Sequence, residues 1–137
     1  MASDPLLSAI SWSPGYETGI ASIDSEHRVL VTLYNDLLHA IARRTSLDLR
    51  RECLASIRDW AALHFRNEER MIHGVLAAEH VAAHRGFVDG LALLYAQAAD
   101  DHALHDAAHV LRLWLIDHFL DDQILFNRLR RQAQPAP

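Results

Sequence analysis

Seven polar side chains occupy positions where a helical protein would place apolar ones: His27, His64, Glu68, His80, His84, His118 and Asp122. Six of them form pairs four residues apart, His64/Glu68, His80/His84 and His118/Asp122. On an α-helix such pairs project from one face on consecutive turns. That geometry suits two ligands on one metal ion, or one ligand on each of two neighbouring ions. A lone inward histidine such as His27 is more often a hydrogen-bonded core residue, and a single His-x-x-x-His pair is common on helix surfaces. The signal is the joint pattern, because burying so many polar groups without partners would be costly.

The donor set narrows the metal. Five imidazoles and two carboxylates exceed the four ligands of a structural zinc site. They suit two six-coordinate ions bridged by the carboxylates, with one position left open. No thiolate falls on the stripe, which argues against an iron–sulfur cluster or a soft-metal site. Di-iron fits best, with di-manganese and opportunistic zinc as alternatives.

Apolar spacing shows which elements must carry these ligands. Steps of three and four residues run through about Ile23–Arg44, Leu47–His73, Ala77–Ala99 and Ala103–Arg131. No period-two alternation competes, so four helices are expected. Thr45 with Asp48 resembles a capping pair for the second, Gly74 would end it, and Asp100-Asp101 would cap the fourth. Short connections predict an all-α, up-down-up-down antiparallel four-helix bundle. Residues 1–21 read as an N-terminal arm, 22–131 as the bundle and 132–137 as a flexible tail.

Composition agrees. The 137 residues are 50% hydrophobic and 23% charged, with formal charge −5. That is one domain's worth of chain, without the basic clusters of a nucleic-acid or anionic-membrane binder. No apolar run approaches the ~20 residues of a membrane span. The start lacks a secretion signal's basic and apolar regions, and the one cysteine, Cys53, suits a reducing cytoplasm and a packing role.

Several segments resemble the hemerythrin family, and its single-domain bacterial members most closely. They are Trp12, Gly19-Ile-Ala-Ser-Ile-Asp24-Ser-Glu-His27, Leu33-Tyr-Asn35-Asp-Leu37, His64-Phe65-Arg-Asn-Glu68-Glu69, His80-Val-Ala-Ala-His84 and Trp114-Leu115-Ile-Asp-His118. The resemblance implies reversible dioxygen binding at an oxo- or hydroxo-bridged pair of irons, for storage, delivery or sensing. It would put His80, His84 and His118 on a coordinatively full iron, and His27 and His64 on one with an open position. Glu68 and Asp122 would bridge, and Leu115 and Phe119 would wall the dioxygen pocket.

The chain departs from the family pattern twice. The family's last aspartate usually follows its histidine by five residues, where this chain has Gln123. A plain helix turns i+4 to the histidine's side, about 40° around, so Asp122 is the expected bridge, with Asp121 and Gln123 as alternatives. Between Glu69 and His80 the turn is short and lacks the family's Gly-Tyr-Pro. Of the other histidines, His39 and His73 fall near helix ends as solvated groups. His102, His105 and His109 read as an exposed polar face, with a weak metal patch or a pH-sensitive face as alternatives. Gly86 and Gly90 either admit a close neighbour or loosen the third helix.

Three further function classes compete with dioxygen binding. One is a redox enzyme acting on peroxide at the same metals. Another is an iron- or oxygen-responsive sensor signalling through a separate protein partner, and the last is a structural bundle with incidental zinc. The donor balance favours carriage. Ferritin-type oxygen-activating sites draw on carboxylate-rich Glu-x-x-His motifs, and no glutamate here has a histidine three residues on.

Overall fold

The three- and four-residue apolar steps wind into α1 (Ala21–Ala42), α2 (Leu47–Glu69), α3 (Val75–Gln97) and α4 (Asp101–Ala133). The computed structural model describes residues 8–72 and 75–133, with no strand among them. Residues 43–46, 70–74 and 98–100 connect the helices and are too few to cross the bundle, so neighbours run antiparallel. α1 and α3 each pack against both α2 and α4. The result is the expected four-helix bundle. No described helix is long and apolar enough to cross a membrane.

Helix ends follow local chemistry. Thr45 donates both its amide and its hydroxyl to Ala40 O, at 3.2 and 3.0 Å, and so closes α1. That occupies the hydroxyl expected to cap α2. Ser46 does so instead, its Oγ accepting from the Leu49 amide at 3.2 Å. Asp100 caps α4 by accepting from the Ala103 amide at 2.8 Å. At the end of α3, Arg51 donates to Tyr95 O and Ala98 O. α2 stops at Glu69, short of the expected His73. His73 and Gly74, expected to close it, lie outside the described residues, as do residues 134–137 of the expected tail.

The core runs along the bundle axis and excludes water from one side of the ligand stripe. Leu30, Tyr34 and Leu37 of α1 meet Leu54 and Ile57 of α2, Leu91 of α3 and Leu111 and Leu115 of α4, all fully buried. Burial pushes the Tyr34 hydroxyl up to about 12 against the opposing pull of Arg112, so it stays protonated and donates to Ser8 O. Cys53 packs half-buried against the same core. Burial, then Asp36 and Glu52, raise its thiol above the usual range, consistent with packing. Gly90 is a close-approach position, since a Cβ there would lie 2.6 Å from the Trp114 ring, whereas one on Gly86 would meet nothing within 4 Å.

Two side chains of α1 pin the N-terminal arm. Asn35 clasps Ile10, accepting from its amide at 2.9 Å and donating to its carbonyl at 3.0 Å. Asp24 accepts from the amide and hydroxyl of Thr18 at 2.8 and 2.9 Å. So held, the arm lays Trp12 and Tyr16 on Phe119 of α4, with ring centroids 5.8 and 5.6 Å away.

Deleting core volume should cost far more than trimming the surface of the same helix. Leu111→Ala, at a fully buried position, is expected to lose about 2–5 kcal/mol in urea unfolding. Leu113→Ala, at a position 49% exposed, should stay within about 0.5 kcal/mol of the parent. Equal losses would show that the core lies elsewhere.

Candidate metal centre

Each helix delivers ligand candidates to one region. α1 brings His27, α2 His64 and Glu68, α3 His80 and His84, and α4 His118 and Asp122. Nε2 or carboxylate atoms of His27, His64, Glu68, His118 and Asp122 lie within 4.8 Å of one another, as do those of Glu68, His80, His84 and Asp122. All are buried except His80, which is slightly open to solvent. Helix α4 is unbroken from His118 to Asp122, so the four-residue spacing turns Asp122 inward with no bulge. Asp121 is exposed, and neither it nor Gln123 belongs to either group.

Glu68 is the hub. Its Oε1 lies 3.2, 2.7 and 3.3 Å from Nε2 of His27, His64 and His118. Its Oε2 lies 3.1 and 3.0 Å from Nε2 of His80 and His84. Asp122 faces the same nitrogens, with Oδ2 2.9 Å from His27 and 3.1 Å from His118, and Oδ1 3.2 Å from His80. Yet both Asp122 oxygens and His84 Nε2 lack hydrogen-bond geometry to any partner. Distance is satisfied and direction is not, as happens when donors converge on a common point rather than on each other.

The outer nitrogens explain why. His64 Nδ1 meets Glu26 Oε1 at 2.8 Å, and His84 Nδ1 meets Glu69 Oε1 at 3.2 Å. An Nδ1–H donated to carboxylate leaves, in a neutral ring, a lone pair on Nε2 aimed at Glu68. Lone pairs facing a carboxylate repel unless a cation lies between them. Metal-bound imidazoles commonly carry this outer carboxylate. Neighbouring ligands of an octahedral ion with bonds of about 2.1 Å stand about 3.0 Å apart, and the observed separations bracket that value. The residues present therefore fit metal ions.

Glu26 and Glu69 join the candidate centre through these contacts, and the helical stripe does not reveal them. Glu26 is one residue off it, and its carboxylate is further held by Asn67 Nδ2 at 3.2 Å. Trp60 donates to Glu26 O at 3.1 Å. The adjacent acidic residue in Glu26-His27 and Glu68-Glu69 is the only sequence signal, and the true partner is on another helix. His118 sits between the two groups: its Nε2 is 3.3 Å from Glu68 Oε1, 3.1 Å from Asp122 Oδ2 and 3.2 Å from His64 Nε2, and its ring centroid is 5.6 Å from that of His84.

The Phe119 ring lies tilted against His27, centroids 4.8 Å apart, and with Leu115 it is fully buried. Trp12 and Tyr16 back it, so the apolar wall at His27 belongs partly to the arm. Away from the centre, His39 is exposed, and His102 forms a 3.4 Å surface pair with Asp106. His105 and His109 are half-buried.

Without metal, charge must balance within the cluster. Burial raises the Glu68 carboxyl, but His118 and hydrogen bonds in the cluster outweigh it and hold it well below its usual range. Asp122 is likewise lowered, against burial, chiefly by His118. Burial lowers His118 and His80, but Asp122 and Glu68 more than compensate, pushing them up to about 10 and about 9.

The family profile of the hemerythrin HHE cation binding domain matches residues 18–134. No curated protein matches the chain.

These shifts set the pH response of metal-free protein. Raised imidazoles stabilise fully below their ordinary value of 6.5, and that contribution disappears as pH climbs through 9 to 10. Lowered carboxylates stabilise above their ordinary values of 4.5 and 3.8, and are lost on acidification. The chelated chain should therefore melt highest between about pH 5 and 6.5 and drop on the order of 5 °C by pH 10. Metal-loaded chain should lack the alkaline drop. Circular-dichroism melts would read both, and a chelated chain most stable at pH 10 would contradict the assignment.

Proposed function

Because the chain belongs to the hemerythrin HHE cation-binding family, we propose that it binds dioxygen reversibly at a pair of iron ions. The ligands would be His27, His64, Glu68, His80, His84, His118 and Asp122, with Glu68 and Asp122 shared between the two ions. One observation carries this reading: a single buried carboxylate lies within 3.3 Å of five imidazole nitrogens. Two carboxylates and five imidazoles suit two intermediate-hardness ions better than a single structural zinc.

An iron pair held there would supply the electrons that dioxygen takes up on binding and would regain them when dioxygen leaves. The chain's own residues have separate tasks. Glu26 and Glu69 hold the His64 and His84 rings in one tautomer and orientation. Leu115 and Phe119, backed by Trp12 and Tyr16, keep water and proton donors from the His27 side. The imidazole-rich donor set supplies less negative charge than the carboxylates of ferritin-type sites. Fewer anionic ligands stabilise high-valent iron less, which favours carriage over activation.

Metal analysis and a visible spectrum taken under argon, then air, then argon test the proposal. Two irons per chain and an absorption band that appears in air and fades under argon are expected. A band that changes once and never returns would instead point to one-way redox chemistry. Asp122→Ala should lower iron content below two per chain, while Asp121→Ala and Gln123→Ala keep it. The reverse result would move the shared aspartate role away from Asp122.

A further inference from the structure

A cleft of about 390 Å³ opens between α3 and α4, on a side that Leu115, Phe119 and the arm do not line. Its inner wall is formed by three of the ligand imidazoles, His80, His84 and His118. Phe87 and Trp114 form apolar flanks, their ring centroids 5.7 Å apart. Asp117 and Asp121 line it one turn apart on α4. Both are exposed, and neither has a hydrogen-bond or ion-pair partner among the described residues. Arg128 lines an adjoining hollow with Glu79 and Asp121, but forms no ion pair with that aspartate.

A second observation comes from the inner wall of the cleft. His84 lines it yet is only 3% exposed, and its buried Nε2 stands 3.0 Å from Glu68 Oε2 without hydrogen-bond geometry to any partner. Unpaired carboxylates at the mouth and ligand imidazoles at the inner wall form a polar path between aromatic walls.

We propose that this cleft is the route by which a hydrated divalent metal ion reaches the centre, with Asp117 and Asp121 gathering it at the mouth. The proposal rests on the di-metal reading above. Two unpaired carboxylates beside low-dielectric walls concentrate cations and raise their association rate. A water molecule takes about 30 Å³ of liquid volume, so the cleft accommodates an ion still carrying its hydration shell. Phe87 and Trp114 offer no strong ligand that would trap the ion. Water is then exchanged for Nε2 of His80 and His84 at the inner wall. No electron transfer is involved.

Stopped-flow loading of chelated protein with cobalt(II), followed by its visible absorption and by final metal content, tests the route. The Asp117→Asn/Asp121→Asn double variant should load about tenfold more slowly at low salt and reach the same final content. The gap should narrow as salt screens the carboxylates. Asp106→Asn removes one of the exposed charges outside the cleft and should load at the parent rate. Gly86→Leu should also slow loading about tenfold, because its Cβ meets nothing within 4 Å and its side chain can grow into the cleft. Leucine also favours helix over glycine, so a folding defect is not expected. Parent-like rates in either the double variant or Gly86→Leu overturn the route while leaving the centre intact. A parent chain that never holds two ions overturns the di-metal reading itself.

Discussion

One carboxylate organises this protein. Glu68 is fully buried and faces all five inward imidazoles, and these come from all four helices. A buried charge so surrounded is tolerable only if positive charge is shared around it, as protons on the rings or as metal among them. Every helix must therefore hold its angle and depth to within the length of a contact. The leucine and isoleucine layers, the cap residues and the arm clasps supply that precision. The centre in turn ties the helices together where an apolar core alone would have left four polar stripes facing one another.

Around the hub lies a second layer that decides what the imidazoles can offer. Glu26 and Glu69 are less buried than Glu68 and act on the far edges of the His64 and His84 rings. By holding the proton on Nδ1 they direct Nε2 inward, where a cation rather than a hydrogen bond completes the arrangement. Asn67 steadies Glu26, and Trp60 anchors the backbone beside it. Ligand geometry is thus fixed twice, once by helix position and once by these outer hydrogen bonds.

Much of this arrangement is legible in the sequence alone. Polar residues recurring at helical spacing on an apolar stripe demand a common partner, so the seven inward groups and four helices could be inferred together. Asp122 over Gln123 followed from the angular step of an ordinary helix, and α4 shows that step. Thr45 and Ser46 were not separable, because which adjacent hydroxyl caps α2 depends on which one α1 consumes first. Glu26 lay off the stripe, and its partnership with His64 exists only after α1 and α2 meet. The side of Glu68 to which His118 turns is a choice of side-chain orientation, which spacing does not encode. Nor could the α3–α4 cleft be read from periodicity, since it depends on how Trp114 rests on Gly90.

The chain's three tryptophans all border this region. The Trp12 ring lies tilted 6.3 Å from that of His27, Trp60 is hydrogen-bonded to the backbone of Glu26, and Trp114 lines the cleft with His118. Indole emission from the folded protein thus originates beside the centre. Any species there that absorbs in the near ultraviolet would drain that emission by energy transfer, so the chain has a native optical reporter on three sides of its most important cavity.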